Sequence, residues 1–300
     1  MPLNTILKSR ILFVINPSSG KGERGDVNSM LTRFSEEMGF EYAVYRTTGK
    51  EDEKEVKRYL EKFQPHTIIA VGGDGTVNMV AKILIGSDIR LGIIPAGSAN
   101  GLAYNLGIPE NFEAALKKNL QDAANPVDVI KMNGKHYCLH LGDIGLNARI
   151  VKRFEKEGSK GMLGYGKQLF KELSEGKTSF SFYIQVPGHR RKKMKAEMVV
   201  IANAKSFGTG AIINPTGKLN DGKFEIIIIR PYPWWFVATF IYAFFTGKLH
   251  KMKYIRVYSA SEARITLLDP QEFQVDGEVL PKTELVEAEI IPAALMVIGA

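Results

Sequence analysis

The sequence has few of the features that mark secreted, membrane-spanning or metal-clustered proteins. Its 300 residues include one cysteine, Cys138, which excludes a disulfide framework and a multi-cysteine metal site. The N-terminal residues show no signal-peptide pattern, and the longest apolar run, 234–245, is too short to cross a bilayer. The five histidines show no metal-ligand spacing. These absences predict a cytoplasmic chain that is soluble or peripheral to a membrane.

The sequence also has fewer acidic residues than basic ones. There are 40 Lys and Arg residues against 32 Asp and Glu, which gives a net charge of +8 and a pI near 9.3. A positive chain favours anionic partners such as nucleotides and acidic lipid surfaces. Nucleic acid is the weakest of these hypotheses, because the basic residues are not interleaved with a recognisable nucleic-acid-binding module. We therefore expect no nucleic acid among the partners.

A glycine-rich turn within residues 65–84 carries the strongest chemical signal. The apolar, β-branched run 67–71 predicts a strand, Gly72–Thr76 interrupts it, and apolar residues from Val77 onward resume at helical spacing. A strand, a glycine turn and a helix aim backbone N–H groups at an anion, usually a phosphate. Asp74 inside the turn indicates a cation between its carboxylate and the phosphates. The structural alternative is a tight turn whose threonine caps the helix.

Strands and helices alternate through the first 130 residues. Strands are predicted at 11–15, 41–46, 67–71 and 90–94, with helical patterns between them, so we expect an α/β domain with a doubly wound parallel sheet. Three of these strands run into loops of small residues, at 16–22, 72–76 and 95–101. Open α/β sheets bind ligands where such strands end. The recurrence therefore favours phosphate binding over a plain turn.

The pattern changes after Pro126. Runs with strand character lie at 177–186, 195–204, 223–229, 253–259, 263–267, 272–275 and 285–290. They predict a mostly antiparallel second domain, a β-sandwich or flattened barrel, with helical patches near 151–157, 163–173 and 234–245. We place the domains at 1–130 and 131–300, with a shared cleft for the nucleotide. The last strand is a candidate to pack back on the first domain.

Two segments of the second domain have both a structural and a membrane interpretation. Residues 234–245 include seven aromatic side chains, as expected of a helix that docks on a membrane or of one that covers the sheet. The basic run 189–195 lies between two predicted strands. It is a solvated hairpin tip or a contact with anionic headgroups.

Four stretches together resemble the diacylglycerol kinase-type lipid kinases, in order over nearly the whole chain. They are Asn16–Gly20, Gly72–Thr76 with Asn78, Pro95–Asn100, and the pair Asn220–Gly222 and Asp276–Glu278. The glycine turn fits neither the Walker pattern GxxxxGKS/T nor GxGxxG. It is shared with NAD kinases and phosphofructokinases, whereas NDG and DGE in a β-rich second half are typical of the lipid kinases.

The resemblance implies transfer of the γ-phosphate of ATP to the hydroxyl of a lipid substrate, diacylglycerol or a related lipid alcohol, with Mg²⁺ as cofactor. It assigns to the nucleotide Asn16, Pro17, Ser18, Ser19, Gly20, Thr48, Gly72, Gly73, Asp74, Gly75, Thr76, Val77, Asn78 and Ser98. It makes Glu278 the proton acceptor, with Asp276 and Asp74 as further catalytic acids. If Asp276 and Glu278 lie on a strand, their side chains point the same way.

The same resemblance implies two metal sites. Asp74, Asp128 and Asp276 would hold a catalytic Mg²⁺, and Lys218, Asp221 and Lys223 a structural one. For Asp221 the structural alternative is a plain Asn-Asp-Gly turn, and for Asp128 it is an acid at the edge of a strand.

Departures from the family pattern concern the acceptor. The bacterial diacylglycerol kinases usually have Thr at Ser98 and Asp at Gly101, and Gly49-Lys50-Glu51 replaces an expected Gly-His-Ala. Gly101-Leu102-Ala103 is similar to the sphingosine kinase branch instead. A long-chain-base kinase, a kinase of a soluble acceptor and a catalytically weak lipid- or nucleotide-binding protein therefore stay as alternatives. The sequence leaves open whether the chain forms a homodimer.

Overall fold

The computed structural model describes residues 9–19, 27–146, 148–149, 179–206, 212–236, 239–240, 242–243 and 246–300. Contacts divide the chain into two compact units, Met1–Pro126 with Leu295–Ala300, and Val127–Ala294. The division falls a few residues before the boundary drawn at 130 from the sequence, and that boundary stays a prediction.

The first unit is an α/β sheet of parallel strands. The strands are β1 (Arg10–Ile15), β2 (Glu41–Arg46), β3 (Thr67–Gly72) and β4 (Arg90–Pro95). They lie side by side in the order β2-β1-β3-β4. The helices are α1 (Val27–Met38), α2 (Asp52–Phe63), α3 (Asp74–Leu84), α4 (Gly101–Asn105) and α5 (Phe112–Gln121). The predicted α/β sheet is confirmed.

Burial in this sheet follows the apolar pattern of the strands. Every residue of β3 is buried, whereas β2, at the edge, buries only Tyr45. A strand covered on both faces needs a continuous apolar run, which is why TIIAVG has almost no alternation. Asn119 of α5 fastens that helix to β4, because its side chain accepts from Ile93 N at 2.9 Å and donates to Ile93 O at 2.7 Å.

The second unit is built from antiparallel strands. They are β5 (Ala124–Met132, from Val127 on), β6 (His136–Cys138), β7 (Leu141–Gly145), β8 (Phe180–Gln185), β9 (Lys192–Ala196), β10 (Met198–Ala202), β11 (Phe224–Ile229), β12 (Ile255–Ala260), β13 (Glu262–Val275) and most of β14 (Glu278–Ile298). The order is β12-β11-β10-β7-β13-β14, with β8 between β13 and β9, and β5 paired with β6 and β14. The predicted β-sandwich class is confirmed by this topology together with the similarities given below. The end of β14, in the first unit, pairs in parallel with β4 through Met296 and Val297.

Strands β10 and β11 separate two apolar clusters. Val199 and Ile201 belong to one cluster, and Met198, Val200 and Ala202 belong to the other. Successive side chains of a strand point to opposite faces, so both faces of these strands are buried. The runs MVVIA and FEIIII are accordingly almost wholly buried.

The aromatic segment 234–245 covers one of these faces in part. Phe236 and Phe240 pack against the second cluster, and the ring of Phe240 stacks on Tyr232 with centroids 5.2 Å apart. Trp235 and Tyr242 are 67% and 60% exposed. Among its described residues, the segment therefore has two partly buried aromatic side chains, Phe236 and Phe240, and two exposed ones, Trp235 and Tyr242. Within the described residues, no helix is long and apolar enough to span a membrane.

Several predicted strands differ from the observed ones. The runs 263–267 and 272–275 form one strand, β13, with irregular pairing near Gln271, and 285–290 is part of the 21-residue β14. The run 195–204 covers the end of β9 and all of β10. Strands β5, β6 and β7 were not predicted. Pro126 interrupts β5, Gly142, Asp143 and Gly145 interrupt β7, and β6 has only three residues. The patches 151–157 and 163–173 lie outside the described residues.

Candidate active-site loops and buried carboxylates

The three loops predicted to bind phosphate all begin at the carboxyl ends of strands in the first sheet. They follow β1, β3 and β4, which are neighbours in parallel pairing. Asn16 N donates to Val71 O at 2.9 Å, and Ala96 N donates to Gly72 O at 2.8 Å, so the pairing continues into the loops. The loops are therefore side by side at the carboxyl end of the sheet, where α/β proteins bind ligands.

The second and third loops touch backbone to backbone. A Cβ added to Gly97 would lie 2.5 Å from Gly73 Cα, and one added to Gly73 would lie 3.1 Å from Gly97 Cα. A Cβ on Gly72 would overlap the side chain of Thr76. The glycines are required here by close approach, which leaves main-chain groups rather than side chains along this part of the edge.

Gly97→Ala is expected to lower the free energy of unfolding by about 1–3 kcal/mol, because the new methyl group meets backbone that cannot rotate away. Gly75→Ala is the matched control: no atom lies within 4 Å of its added Cβ, and it lies in helix α3, where Ala is favoured over Gly. Urea unfolding of both variants measures the difference. Equal stability of Gly97→Ala and the wild type would contradict the close contact.

Asp74 ties the second loop to the third. Its Oδ1 accepts a hydrogen bond from Gly101 N at 2.7 Å, across 27 residues of sequence. Asn100 closes the third loop, since its Oδ1 accepts from Gly97 N at 2.8 Å and its Nδ2 donates to Gly97 O at 3.0 Å. At Gly101, where the family resemblance leads us to expect an acid, the backbone N–H thus donates to Asp74. Ser98 is exposed at the tip of this loop.

The first loop is held by an asparagine turn. Asn16 Oδ1 accepts from Ser18 N at 2.9 Å, and Ser19 Oγ donates to Asn16 O at 2.9 Å. Such turns shape a loop through its own side chains. Pro17 lies within this turn, and Gly20 lies outside the described residues.

Thr48 lies in a loop organised by Asp52. Asp52 Oδ1 accepts from Thr48 N at 2.8 Å and from the Tyr45 hydroxyl at 2.6 Å, and its Oδ2 accepts from Gly49 N at 2.9 Å. Burial raises the pKa of Asp52, but these hydrogen bonds outweigh burial and hold it below its usual value. Burial and the bond to this carboxylate raise the pKa of Tyr45 to about 12. The loop is therefore shaped around a charged carboxylate, with Thr48 exposed.

In the second unit, Asp276 is a buried carboxylate with many donors. Its Oδ2 accepts from Leu139 N at 2.6 Å, and its Oδ1 accepts from His140 N and Leu141 N at 3.1 and 3.0 Å. His140 Nδ1 lies 2.7 Å from Oδ1. Burial raises the pKa of Asp276, but His140 and the backbone donors outweigh it, and the pKa lies below its usual value. The carboxylate thus holds three consecutive backbone amides.

The expectation that Asp276 and Glu278 lie on one strand and point the same way is wrong. Asp276 and Gly277 are the two turn residues between β13 and β14, with φ values of 49° and 89°. Two positive φ angles and an Asp-Gly sequence are typical of a type I′ hairpin. The Asp276 side chain is wholly buried, whereas Glu278, the first residue of β14, is exposed. A hairpin turn therefore separates a buried acid from an exposed one.

Asp128 is also buried and bonded to backbone. Its Oδ1 accepts from Ala293 N at 2.8 Å and its Oδ2 from Gly222 N at 2.7 Å. Gly222 belongs to the NDG turn, in which Asp221 Oδ1 accepts from Lys223 N at 3.2 Å. Asp128 therefore joins this turn to β14, and the structure shows the Asn-Asp-Gly turn that the sequence allowed.

The predicted catalytic Mg²⁺ site stays a prediction. Both oxygens of Asp128 and both of Asp276 accept backbone hydrogen bonds, so each carboxylate also has a structural role within the second unit. A carboxylate offers about four acceptor positions, so these hydrogen bonds do not use all of its lone pairs.

His140 is a residue that the sequence analysis did not find. A single histidine between two leucines carries no spacing signal, and its partner is 136 residues away in the chain. Only the pairing of β7 with β10 and β13 brings this part of the chain to the DGE turn.

Comparisons with known proteins agree with this architecture. Residues 10–132 match the diacylglycerol kinase catalytic domain, and residues 143–299 match the YegS C-terminal NAD kinase beta sandwich-like domain. The chain therefore belongs to the lipid kinase family that combines these two domains, and it is a kinase by class.

Its relatives are similar over most of their length. The chain is 27% identical to "Probable lipid kinase YegS" of Salmonella newport over 95% of this chain and 94% of that one. It is 29% identical to "Probable lipid kinase YegS-like" of Klebsiella pneumoniae over 76% of each chain. A solved diacylglycerol kinase structure from Bacillus anthracis covers 97% of this chain and 96% of its own, with a TM-score of 0.72 at 23% identity. The similarity to this solved structure supports the fold alone.

Proposed function

We propose that this lipid kinase transfers the γ-phosphate of ATP to the hydroxyl of a lipid alcohol, with diacylglycerol as the first candidate. The observation that carries the proposal is the set of three small-residue loops at one sheet edge. Two of these loops approach so closely that only glycine fits, and Asp74 links them through Gly101 N. Loops of this kind offer backbone donors to a polyphosphate and little else.

The proposed nucleotide site uses residues from these loops. Asn16–Gly20, Gly72–Asn78 and Ser98 would contact the phosphates, with Thr48 on the neighbouring Asp52 loop. Mg²⁺ enters as the complex with ATP, since Mg²⁺ keeps several waters and needs one or two carboxylates besides the phosphates. Asp74 is the carboxylate of the first unit that we assign to it. When bound, the ion neutralises charge on the transferred phosphoryl group.

The proposed acceptor chemistry centres on Glu278. Its carboxylate is exposed beside a two-residue hairpin turn, and we propose that it accepts the proton of the lipid hydroxyl. In a loose phosphoryl-transfer transition state the proton leaves late, so a carboxylate near the hydroxyl is sufficient. Asp276 supports this role indirectly, because its buried hydrogen bonds hold the turn from which Glu278 emerges.

A panel of acceptors tests this proposal. The full chain is incubated with labelled ATP, Mg²⁺ and, separately, diacylglycerol, a long-chain base, other lipid alcohols and NAD. We expect label on a lipid alcohol and none on NAD. Failure to label any lipid while ATP binds would overturn the proposal, and turnover of NAD without detergent or vesicles would indicate a kinase of a soluble acceptor.

A long-chain-base acceptor is the second candidate. Gly101-Leu102-Ala103 resembles the sphingosine kinase branch. Gly101 N donates a hydrogen bond to Asp74 Oδ1, and Gly101 is the position where the resemblance to the bacterial diacylglycerol kinases predicts a second acid. Preferential labelling of a long-chain base over diacylglycerol in the same panel would favour this branch. The cytoplasmic location, the contact with anionic membranes and a homodimer stay predictions.

A further inference from the structure

The second unit has a groove between two sheet edges that the kinase reaction does not explain. In the part of the chain that the structure describes, β9 pairs only with β8, and β12 pairs only with β11. Residues of β9 and β12, of the turn after β11 and of the segment just before β12 line a depression of about 490 Å³. We name it the basic groove after its six cationic residues: Lys192, Lys193, Lys195, Arg230, Lys253 and Arg256.

The charge of the basic groove is not compensated locally. No acidic residue lines it, and none of its six cations forms an ion pair with a described residue. Like charges gathered in one groove repel one another, and an anion in the groove removes that repulsion. The groove is therefore built for a negatively charged ligand.

Arg230 narrows the chemistry of that ligand. Its Nη2 donates to Lys253 O at 2.5 Å, which fixes the guanidinium beside the groove. Phosphate oxygens match the planar donors of arginine. The shared chemistry is a phosphate group.

The surroundings of the groove favour a lipid phosphate over a free one. Tyr254 lines the groove, and its ring contacts Phe236 with centroids 4.9 Å apart. The residue before Phe236, Trp235, is 67% exposed. Exposed Trp together with Lys and Arg is typical of surfaces that lie at the bilayer interface.

We propose that the basic groove binds the phosphate groups of anionic phospholipids at a bilayer surface. The groove would hold the second unit on the membrane that contains the lipid acceptor, a consequence that rests on the proposed function. Binding itself does not require catalysis, because none of the groove residues belongs to the three loops or to the DGE turn.

Vesicle sedimentation of the full chain tests the groove. We expect binding to phosphatidylcholine vesicles only when they contain phosphatidylglycerol. The variant Lys193→Gln/Lys253→Gln/Arg256→Gln is expected to bind these vesicles roughly 100-fold more weakly, since each basic residue near an anionic surface contributes about 1 kcal/mol. The matched control Lys57→Gln/Arg58→Gln/Lys62→Gln removes the same charge from α2 and is expected to bind like the wild type.

Each other outcome counts against the proposal. Equal weakening by the two variants would show that net charge alone causes binding. If the groove variant binds vesicles like the wild type, and inorganic phosphate binds the wild-type groove, the ligand of the groove is a soluble phosphate and not a lipid. Activity on detergent-dispersed lipid is measured in parallel: its absence in the wild type would overturn the proposed function, whereas loss of vesicle binding alone concerns the groove.

Discussion

Glu278→Gln is expected to reduce lipid phosphorylation by about 10²–10⁴-fold, with the free energy of unfolding unchanged. The exposed carboxylate is replaced by an amide of the same shape that cannot take a proton. Because Glu278 pairs with Val275 through its backbone, the hairpin does not depend on the charge. Initial rates at saturating ATP and lipid measure the loss in kcat, and the KM for ATP should stay the same.

The matched control lies on the same strand. Glu284→Gln removes another exposed carboxylate of β14 and is expected to leave the rate unchanged. A Glu278→Gln variant with wild-type turnover would show that another group accepts the proton. A third outcome is that the wild type binds ATP but transfers no phosphate, and that Glu278→Gln binds ATP equally well. This outcome would indicate a lipid- or nucleotide-binding protein without catalysis.

Asp276→Asn is expected to lower the free energy of unfolding by about 3–5 kcal/mol at neutral pH. The amide group removes the negative charge beside His140, and it places an NH₂ donor against backbone donors that now meet carboxylate oxygens. Asp269→Asn, an exposed position on β13, is the control and should change stability little. Urea unfolding followed by circular dichroism measures both variants.

The loss of unfolding free energy caused by Asp276→Asn is expected to be smaller at acidic pH than at neutral pH. The folded-state pKa of Asp276 is lower than its usual value, so ionisation stabilises the fold. This contribution is full above the pKa of the unfolded chain, about 3.9, and is lost as the pH falls through the folded-state pKa. The difference between wild type and variant should therefore shrink in acid. A difference that is the same at neutral and acidic pH would contradict the role of the charge.

The sheet of the first unit could be predicted closely from its sequence. The run 41–46 is β2, and the predictions for β1, β3 and β4 differ from the structure by one residue at one end. These strands are short apolar runs bounded by glycine, proline and small polar residues, so local pattern alone marks where they begin and end. The positions of the three small-residue loops could be predicted too, because each loop comes directly after such a strand.

The second unit was predicted less completely for a physical reason. Strand β7 is wholly buried, yet it reads LGDIG, which has too many turn-forming residues to indicate a strand. It is a strand because β10 and β13 pair with its two edges, and both partners are distant in sequence. Long-range pairing of this kind overrides local propensity.

The sequence by itself determined the alternation of strands and helices, the three loops and the lipid kinase resemblance, because each depends on residues close together in the chain. Only the tertiary structure decided that Asp276 is buried against His140, that Gly101 N bonds to Asp74, and that cations from β9, from β12 and from the turn between β11 and β12 share one groove. Those outcomes depend on pairing between distant strands and loops, which sets burial and hydrogen-bond partners. No local pattern encodes them.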